Sequence, residues 1–135
     1  MLETEKAYIA RIIDGEGSIM LIKFHKNQYP APCVSISSTD MELLEWIKNT
    51  SKMGKIIKKK NYNKEKHLDS YTYKVIYDDA LKLLEEITPY LVIQKKRSRA
   101  NFILENYKKV TPRNGKYNEE MRKKKEQFYI DFMKI

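Results

Sequence analysis

Residues Tyr8 to Ile19 read YIARIIDGEGSI and place an acidic, glycine-flanked turn directly after an apolar run. The isoleucines recur at i, i+3 and i+4, the spacing of one helical face, which predicts a helix over residues 3–13. Gly15 and Gly17 supply backbone freedom, so we predict that the helix ends in a sharp exit into extended chain. Asp14 and Glu16 are the carboxylates of this turn, in a chain that is otherwise rich in lysine.

The composition indicates one basic domain. The chain has 135 residues, with 27 Lys and Arg against 18 Asp and Glu, a net charge of +9 that favours polyanionic partners. No apolar run approaches the ~18 residues that span a bilayer, and the start MLETEKAYIA is unlike a signal peptide. We therefore expect no membrane partner and an intracellular location, in the cytoplasm or in an organelle if the gene is organellar. Cys33 is the single cysteine, which excludes an internal disulfide.

The rest of the pattern predicts two β-hairpins, each followed by a helix. The first hairpin pairs residues 18–24 with 33–37, and the second pairs 55–61 with 70–77. Thr39 and Glu42 fit a capping box at the start of the intervening helix. The resulting order, α-ββα-ββα, predicts an α+β fold with a four-stranded antiparallel sheet and helices on one face. One domain over 1–135 is expected, with a core at about 5–107 and a helical C-terminal extension at about 115–135.

Alternation along the strands predicts a polar sheet face away from the helices. It carries Ser35, Ser37, Lys59, Asn61, Thr72 and Lys74. The facing of the first strand stays open, because SIMLIKF is apolar on both sides. Either Lys23 and His25 share the polar face, or Ile22, Phe24 and Lys26 do.

Residues 9–17, IARIIDGEG, resemble the LAGLIDADG motif of homing endonucleases and related intron maturases. The segments STDMELLEWI (38–47) and PYLVIQKKRSRANFIL (89–104) also resemble that family, as does the element order, over roughly residues 5–107. The resemblance implies a saddle-shaped sheet that lies on double-stranded DNA. It further implies a single-motif, intron-encoded homing endonuclease that cuts both strands at a specific site.

The resemblance also implies the metal site. Glu16, at the eighth motif position, would bind Mg²⁺ or Mn²⁺ together with the carbonyl of Gly15, whereas Ca²⁺ would bind without supporting cleavage. Hard cations of this kind take oxygen ligands and generate a nucleophilic water. Asp14 is interpreted as structural, bonding backbone amides. Ser38 is the nearest match to a polar residue that orders active-site water.

A catalytic cation and a dimer are implied in the same way. The family commonly has a lysine near the cleaved phosphate; here Gln94 is followed by Lys95 and Lys96, and which of these three acts there stays open. One motif supplies one carboxylate, so cutting two strands implies a homodimer on a pseudo-palindromic site. The interface residues would be Ile9, Ala10 and Ile13.

Arg11 departs from the family, which has a small residue at that motif position. Either Arg11 points away from the seam between the two motif helices, or the helices pack less closely. The polar sheet face, with Lys23 and His25 added, would read base edges and hold phosphates.

Other functions also fit the sequence. A maturase that binds intron RNA, or a DNA-binding regulator that does not cut, could keep the same fold. A basic protein that binds nucleic acid without specificity predicts a steep salt dependence and no sequence preference. On the plainest interpretation, DGEGS is a helix end with two solvated acids, and KIIKKKNYNK is an edge strand protected by lysine.

Overall fold

A four-stranded antiparallel sheet in the order β1-β2-β4-β3 organises the chain, and the computed structural model describes all residues 1–135. The second strand of each hairpin is central, so the two hairpins meet along β2 and β4. The elements are α1 (Glu3–Glu16), β1 (Gly17–Ile22), β2 (Ala31–Ser38), α2 (Met41–Ser51), β3 (Lys55–Lys58), β4 (Tyr71–Ile76), α3 (Tyr77–Ile87), α4 (Gln94–Asn106) and α5 (Glu119–Met133), with 3-10 turns at Thr88–Tyr90 and Lys108–Val110. The predicted α-ββα-ββα order is confirmed.

Burial alternates along the strands and settles which face of the sheet meets the helices. Ile19 and Leu21 of β1 are buried, and they lie on the same face as Val34, Ile36, Tyr73 and Val75. These side chains join α1, α2 and α3 in a core cluster of 21 buried residues. The opposite face, which we call the open face, therefore carries the other set of strand side chains, including the even-numbered residues of β1.

The junction between α1 and β1 is the sharp exit that was predicted, but it lies three residues later than the predicted helix end at residue 13. Helix α1 continues through Asp14 and Gly15 to Glu16, and β1 starts at the next residue. Gly17 has φ −95°, which any residue adopts, so the glycine is needed for space and not for a left-handed turn. A Cβ at Gly17 would lie 2.8 Å from the Ile13 Cα, because the strand leaves the helix at close range.

Several further element boundaries differ from the prediction. β1 ends at Ile22, so Lys23 and His25 lie in the loop that follows it. β3 ends at Lys58 and contains neither Lys59 nor Asn61. Helix α2 has Asp40 as its N-cap and lacks the predicted capping box, because the Ser38 hydroxyl accepts the Asp40 N–H and shapes the turn instead.

Aromatic packing attaches the C-terminal extension to the rest of the chain. Phe102 of α4 stacks on Phe128 of α5 with ring centroids 5.2 Å apart. Phe132 meets the same Phe102 ring edge-on at 6.5 Å. Both α5 phenylalanines belong to the core cluster, so α5 packs as part of one continuous apolar interior. None of the helices is long and apolar enough to cross a membrane.

Candidate nucleic-acid interface

Asp14 connects the last turn of α1 to the residues that immediately precede α4. One carboxylate oxygen of Asp14 accepts the Val92 N–H at 2.8 Å, and the other accepts the Ile93 N–H at 3.0 Å. Ile93 is the N-cap of α4, so the carboxylate also lies at the positive end of that helix dipole. The predicted structural role of Asp14, in bonding backbone amides, is confirmed.

Lys96 makes the reciprocal connection. From the first turn of α4, its ammonium donates to the carbonyl oxygens of Ile13 at 2.7 Å and Asp14 at 2.6 Å. These carbonyls belong to the C-terminal turn of α1, where a cation is favoured. Lys96 was one of the three residues considered for the cation near the cleaved phosphate. Lys96 is instead engaged inside the protein, which leaves Lys95 and Gln94 exposed.

Glu16 lies in the same turn and is free. Its side chain is exposed and forms no salt bridge and no side-chain hydrogen bond. Gly15 is exposed as well, and a Cβ there would have no atom within 4 Å. The register Gly17↔Ile36 places Ser38 at the same end of the sheet, two residues beyond Ile36. We call this junction, residues 14–17, the motif turn.

The oxygen atoms at the motif turn suit a hard divalent cation only in part. The Glu16 carboxylate and the Gly15 carbonyl are of the right chemical type for Mg²⁺. Both Asp14 oxygens are occupied by backbone amides, so Asp14 is not a free ligand. The chain has no group of three or more His, Cys, Asp or Glu side chains that could hold a metal. A metal here would complete its shell with water or with oxygens from another molecule.

The predicted interface residues are inside the protein. Ile9, Ala10 and Ile13 each have 0% of their surface exposed in the single chain, because they pack against the sheet and α3. A side chain already buried in one chain has no area left to bury against another. The prediction that these three form the dimer contact is therefore wrong.

The exposed stripe of α1 follows a different set of residues. Tyr8, Arg11 and Gly15 are exposed at i, i+3 and i+7, on one side of the helix. Tyr8 is 50% exposed and packs edge-on against Trp46 of α2, with ring centroids 5.0 Å apart. Arg11 therefore lies on the outward face of the helix.

The open face presents polar side chains in rows across the sheet. Ser18, Ser35, Lys74 and Lys55 are paired in one row, one residue from each strand. A second row contains Ser37, Thr72 and Ile57, and the Ser37 and Thr72 hydroxyl oxygens lie 3.2 Å apart. The predicted residues Ser35, Ser37, Thr72 and Lys74 are thus brought together on one partly exposed surface.

The other predicted DNA contacts lie in loops. Lys23 and His25 are exposed beyond the end of β1. The Lys59 N–H still donates to the Ser70 carbonyl at 2.9 Å, so Lys59 continues the edge of the open face for one residue after β3.

Asn61 is occupied within its own loop. Its amide donates to the His67 carbonyl at 2.8 Å and to the Asp69 carboxylate at 3.2 Å. The Asn61 hydrogen bond, with help from Lys58, lowers the pKa of Asp69. Asn61 therefore organises the loop between β3 and β4.

The structure has a basic cleft that the sequence analysis did not predict. A cleft of about 1040 Å³ lies between the β1–β2 loop and the C-terminal segment, and Lys125 of α5 is among its lining residues. Lys125 is 3% exposed. A signal was present, because Met121, Lys125, Phe128 and Phe132 share helical spacing, so Lys125 interrupts an otherwise apolar stripe.

Comparison with solved structures identifies the fold. An archaeal intron-encoded homing endonuclease, I-Vdi141I, complexed with DNA, superposes with a TM-score of 0.64 and 19% identity over 98% of this chain and 84% of that one. The homing endonuclease I-TnaI gives 0.60 and 15% over 93% and 86%. The LAGLIDADG homing endonuclease I-GzeII, in complex with its DNA target, gives 0.55 and 22% over 78% of this chain.

The match to I-GzeII spans about a third of that longer chain, 34%, so this chain corresponds to one part of it. No protein-family model and no curated protein sequence matches the chain. At these identities the comparison establishes the fold. The chain has the LAGLIDADG homing endonuclease fold, as its motif indicated.

Proposed function

We propose that the protein is a site-specific endonuclease for double-stranded DNA. It acts as a homodimer, with a divalent metal ion, Mg²⁺ or Mn²⁺, held at each motif turn by Glu16 and the Gly15 carbonyl. Ca²⁺ would bind without supporting cleavage. The fold supports this proposal, because similar structures include endonucleases bound to DNA. The net charge of +9 supports a polyanionic partner.

The observation that carries the proposal is the difference between Asp14 and Glu16. Two residues apart on one rigid turn, Asp14 is fully hydrogen-bonded and Glu16 has no partner. A free carboxylate in a strongly basic protein opposes DNA binding unless a cation lies between the carboxylate and the phosphate. When bound, a divalent metal supplies charge stabilisation at the phosphate and an activated water.

The chain itself positions the reacting groups. Asp14 and Lys96 hold the end of α1 against α4, so the Glu16 carboxylate projects from a turn with little freedom to move. The open face would lie in the groove, with Ser35, Ser37, Thr72 and Lys74 towards base edges and backbone, and with the loop residues Lys23 and His25 at the flank. In this arrangement Lys95, which is exposed in the first turn of α4, would be the cation beside the cleaved phosphate.

The dimer would form on the exposed stripe of α1. Gly15 leaves open space on that side, so the backbone of a second α1 can approach it closely. Tyr8 and Trp46 add exposed aromatic surface beside the stripe. Arg11 would then lie at the seam, and each copy would cover one half of a pseudo-palindromic site.

The test is cleavage of a randomised plasmid library with Mg²⁺, with sequencing of the cut ends. We compare the wild type, Glu16→Gln and the control Glu85→Gln, which changes an exposed glutamate on the outer side of α3. Removing several kcal/mol of metal stabilisation should slow cleavage by Glu16→Gln at least about 10³-fold. Glu85→Gln should cut like the wild type, with staggered cuts at one near-palindromic sequence.

A second candidate is a nucleic-acid-binding protein of the same fold that does not cut, either an intron RNA maturase or a DNA-binding regulator. The engagement of Lys96 by two carbonyls favours it, because one of the three candidate catalytic side chains is thereby withdrawn. Tight, sequence-specific binding without cleavage in Mg²⁺ or Mn²⁺ would establish this candidate and overturn the nuclease. Preference for RNA over DNA would identify the maturase.

A further inference from the structure

The cleft beside the C-terminal extension is strongly basic. Its walls are the β1–β2 loop on one side and the segment from Tyr107 to Glu126 on the other. Six cationic side chains line it, against one acidic residue, Glu126: Lys23, Lys26, Arg113, Lys116, Arg122 and Lys125. The Tyr29 and Tyr117 rings pack 4.8 Å apart and join the two walls. The charge balance of the cleft favours an anion.

Lys125 is the most unusual of these cations, because it is buried without an acidic partner. Its ammonium donates to the Thr111 hydroxyl at 2.5 Å and lies 4.1 Å from the centre of the Tyr107 ring. No carboxylate forms a salt bridge with it. Burial lowers the pKa of Lys125 to about 8, so the side chain is still mostly charged at neutral pH.

A purely structural role does not explain Lys125. A methionine or leucine at this position of α5 would continue the stripe of Phe128 and Phe132 with no charge to desolvate. An unpaired buried cation opposes folding until an anion approaches it. Groups that carry such a cost in a cleft are typical of binding sites.

The location of the cleft indicates which anion would bind in it. β1 runs from the motif turn to Ile22, a rise of roughly 17–20 Å at about 3.3 Å per residue. The β1–β2 loop therefore lies at the opposite end of the open face from Glu16. Ala31, the first residue of β2, pairs with Ile22 on the open face and lines the cleft, so the cleft adjoins this end of the open face. A duplex laid along β1 would reach the cleft with its outer part.

We propose that this cleft binds a backbone phosphate of the DNA at the outer end of each half-site, with Lys125 and Thr111 at its base and Arg113, Lys116 and Arg122 at its rim. The inference rests on the proposed function, because it needs a duplex on the open face. It adds a contact by the C-terminal extension, outside the sheet. The contact is made to phosphate, so it raises affinity for every sequence equally.

The experiment measures binding of a 30-bp duplex of arbitrary sequence between 50 and 300 mM KCl, by fluorescence anisotropy. Lys125→Met keeps an unbranched apolar stem of nearly the same length and removes the ammonium group with its charge. We expect affinity to fall about 3- to 10-fold at the lower salt and the slope of log K against log [KCl] to become shallower by about one. The control is Lys124→Met, on the outer face of the same helix and paired with Glu120. It should change affinity less than about 2-fold.

A second variant is needed because replacing the buried Lys125 could change DNA binding by altering the local structure. Lys116→Gln changes an exposed residue at the rim, and it should weaken duplex binding about 2- to 3-fold with an unchanged melting temperature. If Lys125→Met and Lys116→Gln both bind like the control, the cleft does not hold DNA and the proposal is overturned. If the wild type binds no duplex at any salt, the proposed function itself fails.

A measurement with inorganic phosphate distinguishes a phosphate of the DNA backbone from a free phosphate ion as the ligand of the cleft. The melting temperature is measured in 20 mM phosphate and in chloride of equal ionic strength, for the wild type and Lys125→Met. No difference, together with the loss of duplex affinity above, supports a DNA phosphate. Stabilisation by phosphate that disappears in Lys125→Met, with duplex affinity unaffected, overturns the proposal in favour of a free phosphate ligand.

Discussion

Charged side chains have opposite surroundings at the motif turn and in the cleft beside the C-terminal extension. At the motif turn, Asp14 has two amide donors and Lys96 has two carbonyl acceptors, and the one charge without a partner, Glu16, is in solvent. In the cleft, Lys125 is buried with a hydroxyl and an aromatic ring as its neighbours. Fully paired charges hold the protein together, whereas unpaired ones are available to a ligand. Measuring the stability of variants at these four positions tests that distinction.

The largest change is expected at Asp14. Asp14→Ala removes a charged acceptor from two backbone N–H groups and disconnects α1 from α4, which should lower the free energy of unfolding by about 3 kcal/mol. Asp14→Asn retains an oxygen acceptor and should lose about half as much. Urea denaturation measures both. Values below about 0.5 kcal/mol for both variants would show that the Asp14 bonds do not stabilise the fold.

The opposite sign is expected at Lys125. Lys125→Met should raise the free energy of unfolding by about 2 kcal/mol at pH 7, because it removes a desolvated charge that the Tyr107 ring compensates in part. The folded-state pKa of about 8 lies below the unfolded value, so the unfolded chain binds more protons between about pH 8 and 10.5.

Wild-type stability should consequently rise, relative to Lys125→Met, as the pH passes through that window. The advantage of the variant is complete below about pH 8 and lost by about pH 10.5. Burial raises the pKa of Tyr107 and of Tyr117, so both neighbours stay neutral over most of this range. Denaturation at pH 7, 9 and 10.5 measures the difference. A gain independent of pH would mean that the lysine is not desolvated.

A smaller loss is expected at Lys96. Lys96→Met removes a part-buried ammonium from the carbonyls of Ile13 and Asp14, at a cost of about 1.5 kcal/mol. Lys95→Met, at the neighbouring exposed lysine, serves as the control and should be neutral within about 0.5 kcal/mol. Equal losses for the two variants would contradict the assigned connection between α4 and the end of α1.

The smallest effect on stability is expected at Glu16. Glu16→Gln should leave the free energy of unfolding within about 0.5 kcal/mol of the wild type, because the side chain has no partner in the protein. The same substitution is expected to have the largest effect on cleavage. A stability loss above about 1 kcal/mol would place Glu16 with Asp14 among the structural groups and weaken its assignment as a metal ligand.

The charged residues also differ in whether their surroundings could be predicted from the sequence. Glu16 became the candidate metal ligand at the sequence level because the resemblance places it at the eighth position of a motif of nine consecutive residues, and such a match is a local property of the chain. Lys96 and Lys125 could not be assigned in that way. One lysine serves the end of a helix that is 83 positions earlier in the chain, at Ile13, and the other meets Thr111 and Tyr107 only after the extension folds back.

The sequence by itself determined the order of elements and the polar face of β2 and β4, which follow from hydrophobic periods of 2 and 3.6 residues acting over a few neighbours along the chain. The motif indicated the fold through a resemblance over nine consecutive residues. Only the tertiary structure decided that Ile9, Ala10 and Ile13 belong to the core, that Tyr8, Arg11 and Gly15 face outward, and which lysines are free. Those outcomes depend on long-range contacts, whose partners a local pattern does not specify.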